Sequence, residues 1–379
     1  MTLPAGTPRF RGLTWDHPRG RAALERSAEA SAGLIEWDVH SLEGFESAPI
    51  DELAARYDVI VLDHPHLGDA LATDSLRPLG ELFEASWLDS LGAASVGPSL
   101  ASYRLGGELW ALPLDAATQV AALLPDRVPA APQTWAEVLE LSRTEPVALS
   151  LAGPHAFLGF SSLCVALGEE PRVTPGAGYV SSATAEHAVS LLREIAGRAP
   201  AGTSELNPIG ILERMRAERD IAYVPLVYGY VNYAAGDEGL RFAEAPSAVP
   251  GGRRGSTIGG TGLAVSRRAA VDDALLAYLR WHLDPLTQAT FIPEHDGQPS
   301  SRAAWLDDRV NHDSHGFYRG TLETIEHAWV RPRIAGFTAF QSAASEILRS
   351  AILAGSAASS AARELDDRFD ALAREGALS

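Results

Sequence analysis

At 379 residues, 46% hydrophobic and 21% charged, the chain has an ordinary globular composition and is too long for one small domain, so two lobes are expected. Its formal net charge is −18 and all 31 basic residues are arginine, which argues against a nucleic-acid or anionic-membrane surface but not against a locally positive pocket for a small anion. The single cysteine, Cys164, excludes an intrachain disulfide and reads as a buried structural thiol, and no run nears the ~18 apolar residues of a membrane span.

In chain order, Arg9 to Trp15 reads as the first strand, ending in Asp16-His17-Pro18-Arg19-Gly20. A helix follows from about Gly20 to Ala32, then a strand from Leu34 to Val39, a helical turn from Asp51 to Arg56 and a strand from Tyr57 to Leu62. The last strand runs into Asp63-His64-Pro65-His66. Alternation of strand and helix predicts a parallel sheet with crossover helices, and in such open sheets ligands sit at the carboxyl ends of the strands. Both polar clusters follow strands, so they should share one edge of the first lobe.

The glycine turn Gly106-Gly107 leads into an apolar run to Leu114 and Asp115, extended on to Leu124. Thr134, with Glu137 three residues later, is a capping box for a helix beginning Trp135-Ala136-Glu137. Pro146 to Leu151 reads as a strand, Phe157 to Leu167 and Ala183 to Gly197 as helices, and Asp220 to Val227 as a strand that delivers Tyr228-Gly229-Tyr230-Val231-Asn232-Tyr233. Gly262 to Val265 is a short buried strand after Ile258-Gly259-Gly260-Thr261, with Ser266 as N-cap of the next helix. Leu322 to Trp329, Phe340 to Ala354 and Ser359 to Glu375 read as three closing helices, with Gly376 at the end as a C-terminal cap.

Four of these segments carry a family resemblance. Leu105-Gly106-Gly107-Glu108-Leu109-Trp110-Ala111-Leu112-Pro113, Pro132-Gln133-Thr134-Trp135-Ala136-Glu137, the stretch Ile258–Ser266 with Gln298-Pro299-Ser300-Ser301-Arg302, and Arg331-Pro332-Arg333-Ile334-Ala335-Gly336-Phe337 occur in an order that resembles the extracellular solute-binding proteins of bacterial ABC importers, the broad group that includes maltose-binding protein. The resemblance spans nearly the whole chain. It implies an α/β, two-lobed, type II periplasmic-binding-protein-like fold with a ligand cleft between the lobes. Residues 1–117 and 260–309 would form lobe one, and residues 118–259 and 310–379 lobe two. It further implies a monomer that binds a carbohydrate or small organic acid, closes on it by a hinge, and delivers it to ABC permease subunits without a cofactor. The family is exported, to the periplasm or cell surface. Met1 to Arg11 shows no apolar signal core and no lipobox cysteine, so a true start at Met1 would instead mean a cytoplasmic protein, a solute sensor reusing the fold.

Few catalytic motifs stand against this. There is no Gly-x-Ser-x-Gly elbow, and without lysine there is neither a Walker A loop nor a Schiff-base lysine. The enzyme-like signal is His64-x-His66, a pair that could ligate a metal in a metal-dependent hydrolase, although His17, His155, His282 and His295 supply no matching set. The alternative is that Pro65 shapes the loop and one histidine faces the cleft. In Asp16-His17-Pro18-Arg19, a helix N-terminus and Arg19 would suit a carboxylate, or else Asp16 caps the helix and Arg19 faces solvent. Tyr228 and Tyr230, at strand spacing, would share a face for stacking on a sugar, with Asn232 and Tyr233 beside them, unless they form a core strip. The expected solute contacts are thus Trp15, Asp16, His17, Arg19, His64, His66, Asp115, Tyr228, Tyr230, Asn232, Gly260 and Thr261, with no catalytic or metal-binding residue.

Overall fold

The structure, a computed structural model, describes residues 9–236 and 239–376; the expected absence of a signal core concerns in part residues 1–8, which lie outside the described residues. The chain forms two compact units. The first comprises the chain up to Ala116, Gly259–Val310 and Arg333–Thr338; the second comprises Ala117–Ile258, Asn311–Pro332 and the chain from Ala339 onward.

In the first unit, β1 (Phe10–Trp15) is followed by α1 (Pro18–Ala30), β2 (Ile35–His40), α2 (Leu42–Ser47) and β3 (Val59–Leu62). β1 pairs in parallel with β2 on one side, Trp15 opposite His40, and with β3 on the other. The strand Ile258–Val265 joins β3 antiparallel, with Leu62 opposite Gly262. β3 is buried at every position, as expected of a parallel-type strand covered on both faces, which is why its Val-Ile-Val-Leu run shows no alternation. α1 buries Ala23, Leu24 and Ser27 against this sheet and leaves Glu25 and Arg26 to solvent, an ordinary one-faced helix.

In the second unit, the later part of the long strand Ala111–Leu123 pairs antiparallel with Tyr223–Tyr228 and with Arg241–Ala243. The helices His155–Ala166, Ser182–Ala196 and Ala358–Gly376 follow, with the helix Phe337–Ala354 from Ala339 onward. Their packing centres on buried aromatics: Tyr179 lies 5.2 Å from Phe157 and 5.1 Å from Phe369, ring centroid to centroid. Cys164 is buried, and burial pushes its thiol up, as fits a packing residue.

Four sequence expectations are corrected. Pro146 to Leu151 is not a strand: only Val147 bridges to Tyr223, and Ala148 N–H donates to the Tyr223 carbonyl. Ser266 does not cap the next helix, because that helix begins only at Asp273; Asp272 caps the helix Asp273–His282 by accepting from Leu275 N–H at 2.9 Å. Gly376 lies within the last helix rather than past it. Residues 333–338, expected with 310–379 in lobe two, lie in the first unit, where Asp69 accepts from Gly336 N–H at 2.7 Å and from Thr338 Oγ1 at 3.1 Å. Arg333 Nη1 also donates to the carbonyls of Ala101, Ser102 and Arg104. Among the described residues no helix is long and apolar enough to cross a membrane.

Candidate functional site

The carboxyl ends of β1, β2 and β3 deliver polar and aromatic side chains to one edge of the first unit's sheet, where open sheets place ligands. Trp15 ends β1 and is buried. His17, next after Asp16, stacks on it at 5.5 Å and 13° between planes. His17 also caps α1: its Nδ1 accepts from Arg19 N–H at 3.1 Å, which requires a ring uncharged at that nitrogen. Burial first, then Arg19 and Arg21, outweigh Asp16 and hold His17 down to about 4. The expectation that Asp16 caps the helix is therefore corrected; its carboxylate is 59% exposed and pairs with Arg21 at 3.1 Å. Gly20 is what admits Trp15, since a Cβ there would come within 2.3 Å of the indole.

Arg19 is neither exposed nor turned to solvent. Its Nε donates to Asp115 Oδ2 at 2.7 Å, and both side chains are only 4% exposed. Its guanidinium also lies 5.6 Å from the Trp15 ring centre. The other Asp115 oxygen, Oδ1, accepts from Thr261 N–H and from Thr261 Oγ1, the latter at 2.9 Å. Gly260, just before, has φ +92°, a left-handed conformation that glycine adopts without strain and that brings the Thr261 N–H to this carboxylate. Arg19, Asp115, Gly260 and Thr261 thus form one buried electrostatic knot, with its charge balanced internally.

After β3, Asp63 caps a short 3₁₀ turn by accepting from His64 N–H at 2.8 Å. His64 is fully buried, edge-on to Tyr103 at 6.4 Å, with Nδ1 3.0 Å from Asp63 Oδ1. His66 is buried as well. Among the described residues, no three His, Cys, Asp or Glu side chains gather into a group that could hold a metal, so the hydrolase alternative finds no ligand set around His64 and His66.

In the second unit, the strand Tyr223–Tyr228 stops at Tyr228. Gly229 donates to the Thr118 carbonyl at 3.2 Å and is pressed against Phe317, which a Cβ would approach to 2.9 Å. Tyr228 is half-buried and edge-on to His155 at 6.0 Å. Tyr230 is 5% exposed and packs edge-on to Tyr233 at 6.3 Å. The chain leaves the strand at Gly229, so Tyr228 and Tyr230 do not share a sheet face as their spacing suggested; Tyr230 belongs to a core pair. Asn232, half-buried, sits on the 3₁₀ turn Val231–Tyr233, and Tyr233 Oη donates to Glu213 at 3.4 Å. Burial, then Glu213, raises the Tyr233 hydroxyl well above its ordinary value. His155, which begins its helix, is pushed down to about 3 by burial and then by Arg331, so it stands uncharged beside Tyr228.

Sequence reasoning missed His40 and Phe45. Phe45 lies 5.7 Å from Trp15, and His40 is edge-on to Phe45 at 6.1 Å. The signal was available in the end of β2, which must lie beside the end of β1 in a parallel pair.

No protein-family profile matches the chain, and no curated protein sequence matches it. Solved structures do. An ABC transporter solute-binding protein from Agrobacterium radiobacter K84, in complex with ribitol, matches with a TM-score of 0.81 at 15% identity over 98% of this chain and 100% of that one. Maltose-bound MalE3 of T. maritima matches at 0.76 and 16%, covering 97% of this chain and 100% of that one. A solute-binding protein from Agrobacterium vitis S4 with bound D-mannitol matches at 0.77 and 15%, covering 97% and 99%. At these identities the likeness establishes the fold: the chain has the α/β type II fold of ABC-transporter solute-binding proteins, as the sequence resemblance implied.

Proposed function

We propose that this protein is the solute-binding component of an ABC importer and that its solute is a small uncharged polyol or sugar. The observation that carries this reading is the agreement of fold along the whole chain with binding proteins solved with ribitol, D-mannitol and maltose. The choice of an uncharged solute over an organic acid rests on the Arg19–Asp115 pair. The buried guanidinium beside Trp15 already has its carboxylate, so a solute carboxylate would meet a charge that is already matched and would have to be desolvated there with little return.

Trp15, His17 and His66 in the first unit, with Tyr228 and Asn232 in the second, are the proposed contacts. Rings suit the apolar faces of a sugar, and neutral imidazole and amide groups suit its hydroxyls. Arg19, Asp115, Gly260 and Thr261 are assigned to holding those contacts in place, Tyr230 and His64 to packing, and Asp16 to the surface. The protein acts without chemistry on its solute, passes it to permease subunits, and works outside the cytoplasmic membrane.

Thermal denaturation in the presence of ribitol, D-mannitol, maltose and succinate tests the reading. A solute at 100 times its Kd stabilises by about 2.7 kcal/mol. A shift with a polyol or sugar, weakened by both Trp15→Ala and Tyr228→Ala, is expected. A shift with succinate alone would refute the uncharged-solute assignment, and product formation from any bound solute would refute the non-catalytic one.

A further inference from the structure

Three adjacent strand ends each bring a histidine to the same aromatic shelf. His17 follows β1 and stacks on Trp15; His40 closes β2, edge-on to Phe45; and His66 follows β3. The shelf is tied together at its backbone, since Asp16 N–H donates to the His40 carbonyl at 2.8 Å. Two of the three rings are built to be uncharged. His17 uses Nδ1 as an acceptor for Arg19 N–H, a role that protonation abolishes. The Nε2 of His40 is buried and meets no hydrogen-bond partner among the described residues, so a proton there has no acceptor.

The charged neighbours point the same way. Around His17, Arg19 and Arg21 from α1 oppose a proton, and Asp16, just past β1, favours it less than burial and the arginines oppose it. Around His40, His66 opposes a proton, α2 presents the Phe45 ring and the Gly44 backbone, and the Asp16 carboxylate, just past β1, is engaged with Arg21. Arg19 is matched by Asp115, so no unpaired carboxylate of that knot is available to a charged imidazole.

We propose that His17 and His40 make solute retention acid-labile: the Trp15–Phe45 shelf keeps its binding shape only while both imidazoles are uncharged, and protons taken up below neutral pH release the solute. This rests on the binding reading above and adds its regulation. When His17 charges it loses its hold on Arg19 N–H and the first turn of α1 loosens under Trp15. When His40 charges, the buried Nε2 must reach water, which moves Phe45 off the indole. Both groups sit below the ordinary histidine value, His17 at about 4, because burial opposes their charge. The neutral form therefore prevails at neutral pH, and a ligand that covers the shelf depresses both further, so affinity falls as protons bind.

The test is calorimetric titration of the full chain with ribitol, D-mannitol and maltose from pH 8 to pH 4, comparing the wild type with His40→Phe and His40→Gln. Each protein is referred to its own affinity at pH 8, and retention of fold is checked by circular dichroism at each pH. The wild type is expected to hold its affinity near neutral pH and to lose it progressively as the pH falls towards 4, by about twofold or more at pH 4. The two variants, which have no proton to gain at position 40, should lose markedly less. An equal loss in wild type and variants, or no loss in wild type, overturns the proposal while leaving the binding reading intact. No binding to the wild type at pH 8 overturns the binding reading and this inference with it.

Discussion

The two units assemble their candidate site residues by different means. In the first, Trp15, Arg19, His40, His66, Asp115 and Thr261 come from points scattered over most of the chain and meet only because the strands carrying them are neighbours. In the second, Tyr228, Asn232 and Tyr233 come from one short stretch that ends a strand and turns. The first depends on a buried ion pair and the second on ring packing. The lesson is that the first group should fail all at once when one member is removed, whereas residues of the second should fail singly, each in its own way.

The largest expected effect breaks the first group. Asp115→Ala leaves Arg19 buried without its carboxylate and should cost about 3–5 kcal/mol, read as a shift in the urea midpoint. The paired Arg19→Met, Asp115→Leu variant should recover most of that stability. If Asp115→Ala unfolds at the wild-type midpoint, the knot is not structural. Close behind is Tyr230→Ala in the second unit. As a core aromatic it should lose about 3–5 kcal/mol of stability, with any loss of solute affinity no greater than that of Tyr228→Ala. The opposite pattern is expected for Tyr228→Ala, which should lower affinity tenfold or more at a smaller cost in stability; interchanged outcomes would assign the rings the other way. Gly20→Ala pushes a methyl into the indole and should cost about 1–3 kcal/mol, with a change in Trp15 fluorescence marking the displaced ring.

Acid sharpens the comparison further, because each unit buries uncharged histidines. His17 and His282 in the first unit lie at about 4, and His155 in the second at about 3. All three are lowered from the ordinary value of about 6.5, so the unfolded chain binds protons that the folded chain refuses. Their contribution is complete above pH 6.5 and is lost as pH falls from there towards 4. Urea unfolding at pH 7.5 and 5 should show this, with the pH dependence reduced in His155→Phe. The smallest effect is at the surface: Asp16→Asn removes an exposed pair with Arg21 and should change stability by less than about 1 kcal/mol.

Much of the fold was legible because its signals are local. The buried Val-Ile-Val-Leu run, the capping Thr134, whose Oγ1 accepts from Glu137 N–H, and the alternation of strand and helix all act within a few residues. The positions of His17 and His66 at strand ends were legible for the same reason. What could not be read was partnership. Nothing within ten residues of Arg19 announces that its carboxylate lies at position 115, so the sequence left it between a ligand contact and a solvent-exposed side chain, and it is buried against Asp115 rather than exposed. Tyr230 was misjudged because period-two spacing assumes the strand continues, and Gly229, pressed against Phe317, is where it ends. Ser266 was misread as a cap because a serine ahead of a helical run is a good acceptor, and the start of the helix at Asp273, with Asp272 as the acceptor, lies seven residues on.

The short return of residues 333–338 into the first unit bears on how the chain reaches this structure during synthesis. Asp69 and the carbonyls of Ala101, Ser102 and Arg104 wait for partners made more than 200 residues later, and β3 waits nearly as long for its partner strand. At about 5–20 residues per second, those partners leave the ribosome roughly ten seconds or more after the groups they will meet. The first unit begins first yet cannot be finished until most of the second has been translated. The nascent chain therefore passes through a long interval in which neither unit is complete, with apolar strand and helix faces waiting for partners not yet made.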